Sequence, residues 1–584
     1  MKTSESIVYT NKARCRDCYR CIRSCPVKAI KMKGGQAYVD EIKCVLCGMC
    51  IKECPQKAKT YIKSYEQLRE LLAGGQPVAV SLAPSFAAVY PDWQRDRIPS
   101  ALRSMGISHV SETSCGAWYA AKRAKEVIEK NPGRSFITSS CPAVVNYVEK
   151  YKGGKIDLLL PVLSPLAAHS VLLKRKLGFE TKIAFIGPCV AKKGEILRDD
   201  IRPLIDTAIT FEEMNAWFED EGIDLKNFEA SGFDMYPPKG YSPLFPVPGG
   251  FARTAGFEDD SMIEIINADG FEEIEEAVDF SADSDKPVLI DALLCEGGCI
   301  NGPGISAVDN YLSKKLSLRE YFKKEKFSEP EINMPVLSAN FYDKSLKNGN
   351  YSDNEIIHIL EKTGKSSPED RLNCGACGYD SCEEKAAAVL DGMAETEMCI
   401  PFMRRLAEQR TDKIIESSPN GIVILDESLS IIHMNPAFMK FFMCGESIRG
   451  KKISYLMDPE PFVKLAGDDE DLVEMVVKHD NYGLVCHEIL YPLRDDRQYV
   501  GIFVNITRSI NNTEKLNKMK EETIRQADEL LKHQISMAQN VARLLGESTA
   551  RGEQLVDKLR QLTRDENASK SNENETLWDI YTSK

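Results

Sequence analysis

Apolar and polar residues change period several times along the chain. The run Pro77-Val-Ala-Val-Ser-Leu-Ala83-Pro84-Ser85 reads as a buried strand that ends at a turn. Similar runs at Ser135 to Thr138, Ile156 to Leu160, Ile183 to Ile186 and Val288 to Leu294 predict further buried strands. Helical stretches such as Ala120 to Glu129 and Ala167 to Lys176 separate them, which predicts an α/β core with chemistry gathered at strand ends. Further on, short strands are expected around Ile415 to Leu425, Ile431 to Phe438, Leu484 to Tyr491 and Val500 to Thr507. From Asn511 the pattern is helical, with Ile524, Ala527, Leu531, Ile535, Ala538, Val541 and Leu545 at steps of three and four. That stripe predicts a homodimer seam, the alternative being that it packs back on the preceding domain. The last stretch, Asp565 to Lys584, is polar.

A chain of 584 residues holds several domains. Its 88 acidic against 75 basic residues, net −13, argue against a nucleic-acid partner, whose phosphates demand a basic footprint. No run of about 18 apolar residues marks a membrane span, and Met1-Lys-Thr-Ser-Glu lacks an export signal, so a cytoplasmic, membrane-free protein is expected. In such a compartment 19 cysteines are better read as metal ligands than as disulfides.

Their spacing supports this. Cys15-x2-Cys18-x2-Cys21-x3-Cys25-Pro26 and Cys44-x2-Cys47-x2-Cys50-x3-Cys54-Pro55 repeat one pattern twice. Each resembles half of a two-cluster ferredoxin, in which three close thiolates wrap one cubane and the fourth reaches the other. The resemblance implies one 4Fe–4S cluster on Cys15, Cys18, Cys21 and Cys54 and a second on Cys44, Cys47, Cys50 and Cys25. Zinc knuckles would explain C-x2-C but not the third and fourth cysteines or the prolines.

Thr138-Ser-Ser140-Cys141-Pro, Gly187-Pro-Cys189-Val-Ala-Lys192-Lys-Gly-Glu195 and Cys295-Glu-Gly-Gly-Cys299-Ile-Asn-Gly-Pro resemble the three active-site signatures of FeFe hydrogenases. That resemblance implies an H-cluster: a 4Fe–4S cubane on Cys141, Cys189, Cys295 and Cys299, with Cys299 bridging to a two-iron unit that carries carbonyl and cyanide. Lys192 and Ser85 would donate to the cyanides, and Glu195 joins Ser140 among the candidate catalytic residues. Implied partners are H2 and protons, with ferredoxin or another redox protein. The departures are as informative. Ser140 stands where catalytic members carry a proton-donating cysteine, and a hydroxyl is a poor relay at neutral pH. Gly116-Ala-Trp-Tyr-Ala-Ala-Lys-Arg123 stands where a pair of glutamates is usual, while Leu166, Leu293 and Gly187 replace a glutamine and two methionines. Slow turnover is expected. Cys115 fits no position of the family, its plain reading being a buried structural thiol.

Cys374-x2-Cys377-x4-Cys382-x16-Cys399 resembles a small 4Fe–4S domain and implies a third relay cluster. The strands that follow, ending in Asn505-Ile-Thr507, resemble a PAS domain. His433, His479 and His487 are read as surface residues rather than haem ligands, and no organic cofactor is expected there. His533 invites a kinase reading, but no glycine-rich ATP lobe follows it. The expectation is therefore a multidomain α/β protein: ferredoxin-like head 1–63, hydrogenase core 64–340, linker 341–368, Fe–S domain 369–408, α+β PAS domain 409–510, helical segment 511–564 and tail 565–584. Function is expected to be a low-turnover hydrogenase acting as an H2 or redox sensor for an unknown signalling partner. An ordinary ferredoxin-linked hydrogenase and a redox sensor without the two-iron unit are the alternatives.

Overall fold

The computed structural model describes residues 6–257, 263–283, 286–305, 310–324, 326–330, 335–346, 349–467, 471–507, 523–532, 534–535 and 537. His533, Ala538, Val541, Leu545 and the polar tail lie outside them. The chain divides into two compact units, Met1–Thr396 and Glu397–Lys584.

In the first unit, the head pairs β1 (Val8–Thr10) with β4 (Lys59–Tyr61) and β2 (Ile30–Lys33) with β3 (Gln36–Val39), both antiparallel. The core holds two parallel sheets. One has the order β6 (His109–Glu112), β5 (Val78–Leu82), β8 (Lys182–Gly187), β9 (Thr207–Thr210). The other has β10 (Glu264–Asp269), β11 (Val288–Leu293), β7 (Phe136–Ile137). Every residue of β5 and β11 is buried, as expected for parallel strands covered on both faces. Register places Leu82 beside both Glu112 and Ile186, so β5, β6 and β8 finish together on one side, while β11 runs on to Leu293 past Ile290, the partner of the last β7 residue Ile137. The signature loops leave from that side.

The expected strand at Ile156 to Leu160 does not form. Gly153–Leu158 is a 3-10 helix, and only Leu159 bridges to Ile137. Asp157 interrupts the run, Pro161 closes it, and consecutive leucines lack the β-branching that favours a pleat.

In the second unit, helix Ile400–Ser417 leads into a five-stranded antiparallel sheet. Its order is β13 (Ile431–Met434), β12 (Gly421–Leu425), β16 (Gln498–Asn505), β15 (Leu484–Leu493), β14 (Val473–His479). Asn435 caps helix Pro436–Phe441, accepting from Phe438 N at 2.9 Å. Its amide donates to Ile415 O (2.9 Å) and Asn420 O (2.8 Å), tying the entering helix to the sheet.

Two expectations change here. His479 and His487 are not surface residues: their side chains are 8% and 6% exposed, paired with Glu488 at 2.7 Å and Glu474 at 3.0 Å. Strand alternation turned them inward or under neighbours, a period too short to read from single histidines. The apolar stripe also changes role over its described part. Ile524, Leu531 and Ile535 pack on the sheet face made by Ile422, Ile489, Val500, Ile502 and Val504, which is the packing-back alternative. Among the described residues no helix is long and apolar enough to cross a membrane.

Candidate functional site: a thiol quartet beside an apolar cavity

Each signature begins where a core strand stops. Leu82 runs into Ala83-Pro84-Ser85, Glu112 into Thr113, Gly187 into Pro188-Cys189, and Leu293 into Leu294-Cys295. Cys141 is the N-cap of helix Pro142–Tyr151. Gly302 has no Cβ because one would collide with Pro188 O, so the third signature packs directly on the second.

The structure brings Cys141, Cys189, Cys295 and Cys299 together. Burial pushes the Cys189 thiol up to about 11, and neighbouring Cys141 adds to it. Burial likewise raises Cys295 strongly, with Cys189, Cys299 and Cys141 as neighbours, and raises Cys299, with Cys141 and Cys189 beside it. Four part-buried thiolates would repel one another unless a cationic core sat among them, and iron would supply that charge.

Beside the quartet lies a cavity with about 620 Å³ of empty space, part of it open to solvent. Its wall is apolar, including Ala83, Pro84, Leu166, Phe185, Phe245 and Leu293, and it is interrupted by Ser85, Thr113, Ser140, Lys192 and Cys299. The Ser85 hydroxyl is buried and has no partner among the described residues. Lys192 Nζ is held by Ser164 Oγ (3.1 Å), Ser140 O (3.5 Å) and the Glu195 carboxylate (2.6 Å). An orphaned hydroxyl and a buried ammonium facing one apolar-walled space fit a group with anionic, hydrogen-bond-accepting ligands. The residues present therefore fit a cubane on the four thiols and a two-iron unit on the Cys299 side.

Phe185, Phe245 and Thr113 were not singled out by sequence. Phe185 has a readable signal only after the fact: it lies two residues before Gly187, hence on the same face of β8. A Cβ at Gly187 would collide with the Phe185 ring, so the aromatic fills space a larger residue at 187 would claim. Cys115 is buried and donates to Met235 O at 3.7 Å, away from the cavity lining.

The head supplies two further quartets. Burial raises Cys21 to about 11, with Cys18, Cys54 and Cys15 as its thiol neighbours. Burial raises Cys47 to about 12, beside Cys25 and Cys44, and raises Cys50 among Cys47, Cys25 and Cys44. Cys47 also senses Cys141, so the second head quartet adjoins the core quartet. Helix Pro142–Tyr151 makes this junction: Lys150 Nζ donates to Cys44 O (2.7 Å), Tyr151 Oη to Lys43 O (2.6 Å) and Asn146 Nδ2 to Val45 O (3.3 Å). Among the described residues no three His, Cys, Asp or Glu side chains close on a single-ion site.

Cys374, Cys377 and Cys382 belong to a segment that follows the core in the chain yet packs on the head. Arg23 donates to Ala376 O (3.1 Å), Lys28 to Gly378 O (2.9 Å), and Met32 N to Met393 O (2.9 Å). Buried Tyr379 has both Cys377 and Cys25 for neighbours. Cys399 falls in the second unit, where it is the N-cap of helix Ile400–Ser417.

Such gathered thiols define an iron–sulfur protein. Residues 76–303 match the iron only hydrogenase large subunit, C-terminal domain; 14–58 match a 4Fe-4S dicluster domain, 370–401 a putative Fe-S cluster domain, and 409–476 a PAS domain. The chain is an iron-only-hydrogenase-like protein with a PAS domain. Over 180 residues it is 27% identical to the cytosolic Fe-S cluster assembly factor NAR1 of Kluyveromyces lactis, covering 29% of this chain and 38% of that protein. It thus spans well under half the length of that curated relative. Among solved structures, a variant of FeFe-hydrogenase HydA1 from Chlamydomonas reinhardtii matches at 15% identity and TM-score 0.39, covering 49% of this chain and 100% of that one. The PAS domain of an HTR-like protein from Haloarcula marismortui matches at 23% identity and TM-score 0.16, covering 18% and 97%.

Proposed function

We propose that the protein binds and slowly oxidises or forms H2 at an H-cluster held by Cys141, Cys189, Cys295 and Cys299, and reports the resulting redox state to its PAS domain. The observation that carries this reading is the convergence of four part-buried thiols, three of them lining an apolar-walled cavity that Lys192 and the unpartnered Ser85 hydroxyl also line. When bound, the two-iron unit supplies the H2 chemistry. The residues of this chain do the rest. Lys192, anchored by Glu195 and Ser164, holds the anionic ligands; Ser85 offers a second donor; Phe185, Phe245, Leu166 and Leu293 exclude water. Ser140, on the cavity wall, carries a hydroxyl whose high pKa makes it a slow proton donor, which supports a sensor over a fast enzyme.

Electrons have a short way out. The head quartet of Cys25, Cys44, Cys47 and Cys50 adjoins the core, and the quartet of Cys15, Cys18, Cys21 and Cys54 follows it, each proposed to hold a 4Fe–4S cluster. A third cluster on Cys374, Cys377, Cys382 and Cys399 is proposed from the sequence spacing alone; Cys399 caps a helix whose other end Asn435 fastens to the PAS sheet. A downstream signalling partner, an external redox partner and a homodimer through the segment 511–564, whose sequence pattern is helical, complete the reading.

The likeness to a cluster assembly factor favours a second reading, in which the two-iron unit is never installed and the protein handles iron–sulfur clusters alone. Retention of Lys192 and of a cavity beside Cys299 supports the first. Hydrogen–deuterium exchange of the full chain, under argon and under hydrogen, tests the sensor claim. Hydrogen should change exchange within 421–505 in the parent and not in Cys299→Ala; exchange in the parent that ignores hydrogen would sink it.

A further inference from the structure

The first signature lacks its usual proton donor, yet a proton must still cross the protein for H2 to be made or split. A row of four buried polar side chains starts at the cavity and has no other evident purpose. Thr113 lines the cavity. Its Oγ1 lies 2.7 Å from Ser81 Oγ, which lies 2.8 Å from His169 Nδ1; His169 Nε2 lies 3.2 Å from Ser111 Oγ. Ser81, Ser111 and His169 have no solvent exposure and Thr113 has 5%. Strands of a parallel sheet covered by helices ordinarily carry Val, Ile or Leu there, because a buried hydroxyl or imidazole costs free energy unless bonded.

Several features build this row rather than leave it to chance. Ser81 and Ser111 are register partners on β5 and β6, so both point to the face that helix Pro165–Leu177 covers. Gly116 lets that helix approach: a Cβ there would collide with Pro165 O and His169 N. His109 stands two residues before Ser111, on the same face and about 7 Å along the strand. It is 7% exposed, its Nε2 has no partner among the described residues, and Asp234, Lys176 and Arg103 surround it. A histidine serving packing alone needs two partners; it does not need one of them continued to a cavity wall and the other set two residues from a second buried histidine with an unpartnered ring nitrogen.

We propose that Thr113, Ser81, His169 and Ser111 form a proton relay between the cavity and His109, in place of the path the first signature lacks. The proposal rests on the hydrogenase-like reading of the cavity. A proton arriving at Thr113 Oγ1 is matched by Thr113's own proton moving to Ser81, by Ser81's moving to His169 Nδ1, and by the Nε2 proton moving to Ser111. One proton leaves Ser111 through a bridging water to His109, so one crosses and no member stays charged. Hydroxyl rotation and return of the ring to its first tautomer reset the row. Burial holds His169 down at about 3, so the ring is neutral and offers one donor and one acceptor, as this passage requires.

The test uses full-length matured protein under D2 in H2O, with HD and H2 followed by mass spectrometry. A slow proton exit lets HD leave before its second label is exchanged. In Thr113→Val, His169→Gln and Ser111→Ala, label exchange with solvent should slow by about a hundredfold, the low side of what positioned proton carriers contribute, and the HD share should rise while carbonyl and cyanide infrared bands stay in place. Unchanged partition in Thr113→Val and Ser111→Ala, which lose only a hydroxyl, would overturn the relay while leaving the cavity reading intact. A parent with no bands and no exchange would overturn both. A second readout needs no two-iron unit: in protein carrying only its iron–sulfur clusters, the 15N signals of His169 should report one neutral tautomer in the parent and a shifted balance in Ser111→Ala. No shift in either Ser81→Ala or Ser111→Ala would break the proposed connection.

Discussion

Glu149 gives the sharpest stability test of how the thiol quartet is held. It sits on the helix that Cys141 caps, with no exposure, and takes a bidentate contact from Arg198 at 3.0 Å twice, Lys344 at 2.7 Å and Tyr342 N at 3.1 Å. Arg198 follows Glu195 in the second signature, so this clamp ties the first cysteine segment to the second and pins residues 342–344 across both. Burial alone would raise the carboxyl; the hydrogen bonds from Arg198 and Lys344 outweigh it and hold it below its usual 4.5. Because the folded value is depressed, the stabilisation is complete above about 4.5 and is lost as pH falls through the folded value. Glu149→Gln removes the bidentate carboxylate from the Arg198 guanidinium, 16% exposed, leaving it, among the described carboxylates, only the longer contact to Asp200 at 3.6 Å. Removing one member of a buried pair costs about 3–5 kcal/mol, and a core of this size shifts by about 2–4 °C per kcal/mol. Calorimetry of the cluster-loaded full chain at pH 7 should therefore show the core transition lowered by roughly 10 °C, with easier loss of iron, and the gap should narrow in acid. A variant melting within about 3 °C of the parent at pH 7 would refute the clamp.

Other outcomes follow from the same geometry. Ser140→Cys should raise H2 evolution roughly a hundredfold, the scale of a positioned proton donor; no gain in a matured, band-bearing sample would remove the account of slow turnover. Cys21→Ala should cost about four irons per chain by metal analysis and leave the second head quartet able to load, whereas loss of both clusters would show that the quartets are wrongly apportioned. Asn435→Ala strands Ile422 N and Phe438 N together with the carbonyls of Ile415 and Asn420. It should destabilise the PAS domain by about 3 kcal/mol, read as loss of its own thermal transition before that of the core.

Much of this was legible in the chain because cluster ligands come from short spacings. Cys15 to Cys54 announce two quartets by local pattern, and the structure gathers the same two sets. Cys141, Cys189, Cys295 and Cys299 are far apart in sequence and were readable only through family resemblance. The cavity wall was harder. Phe185 and Thr113 look like ordinary strand residues until register shows which way they point, and the Ser81–His169–Ser111 row needs two strands and a helix to exist at all. Ile156 to Leu160 misled because an apolar run carries no sign of whether a neighbouring strand has room for it. The position of Cys374 to Cys382 was invisible for a different reason: chain order placed that segment after the core, while Arg23 and Lys28 draw it onto the head. His479 and His487 were misjudged because a lone histidine shows no period, and their carboxylate partners sit on adjacent strands.

The most direct measurement is an infrared spectrum of anaerobically matured full-length protein, first under argon and then under hydrogen, with H2 evolution assayed on the same sample. The account predicts carbonyl and cyanide bands that shift with hydrogen while turnover stays low. Absence of those bands after maturation that loads the iron–sulfur clusters would contradict it.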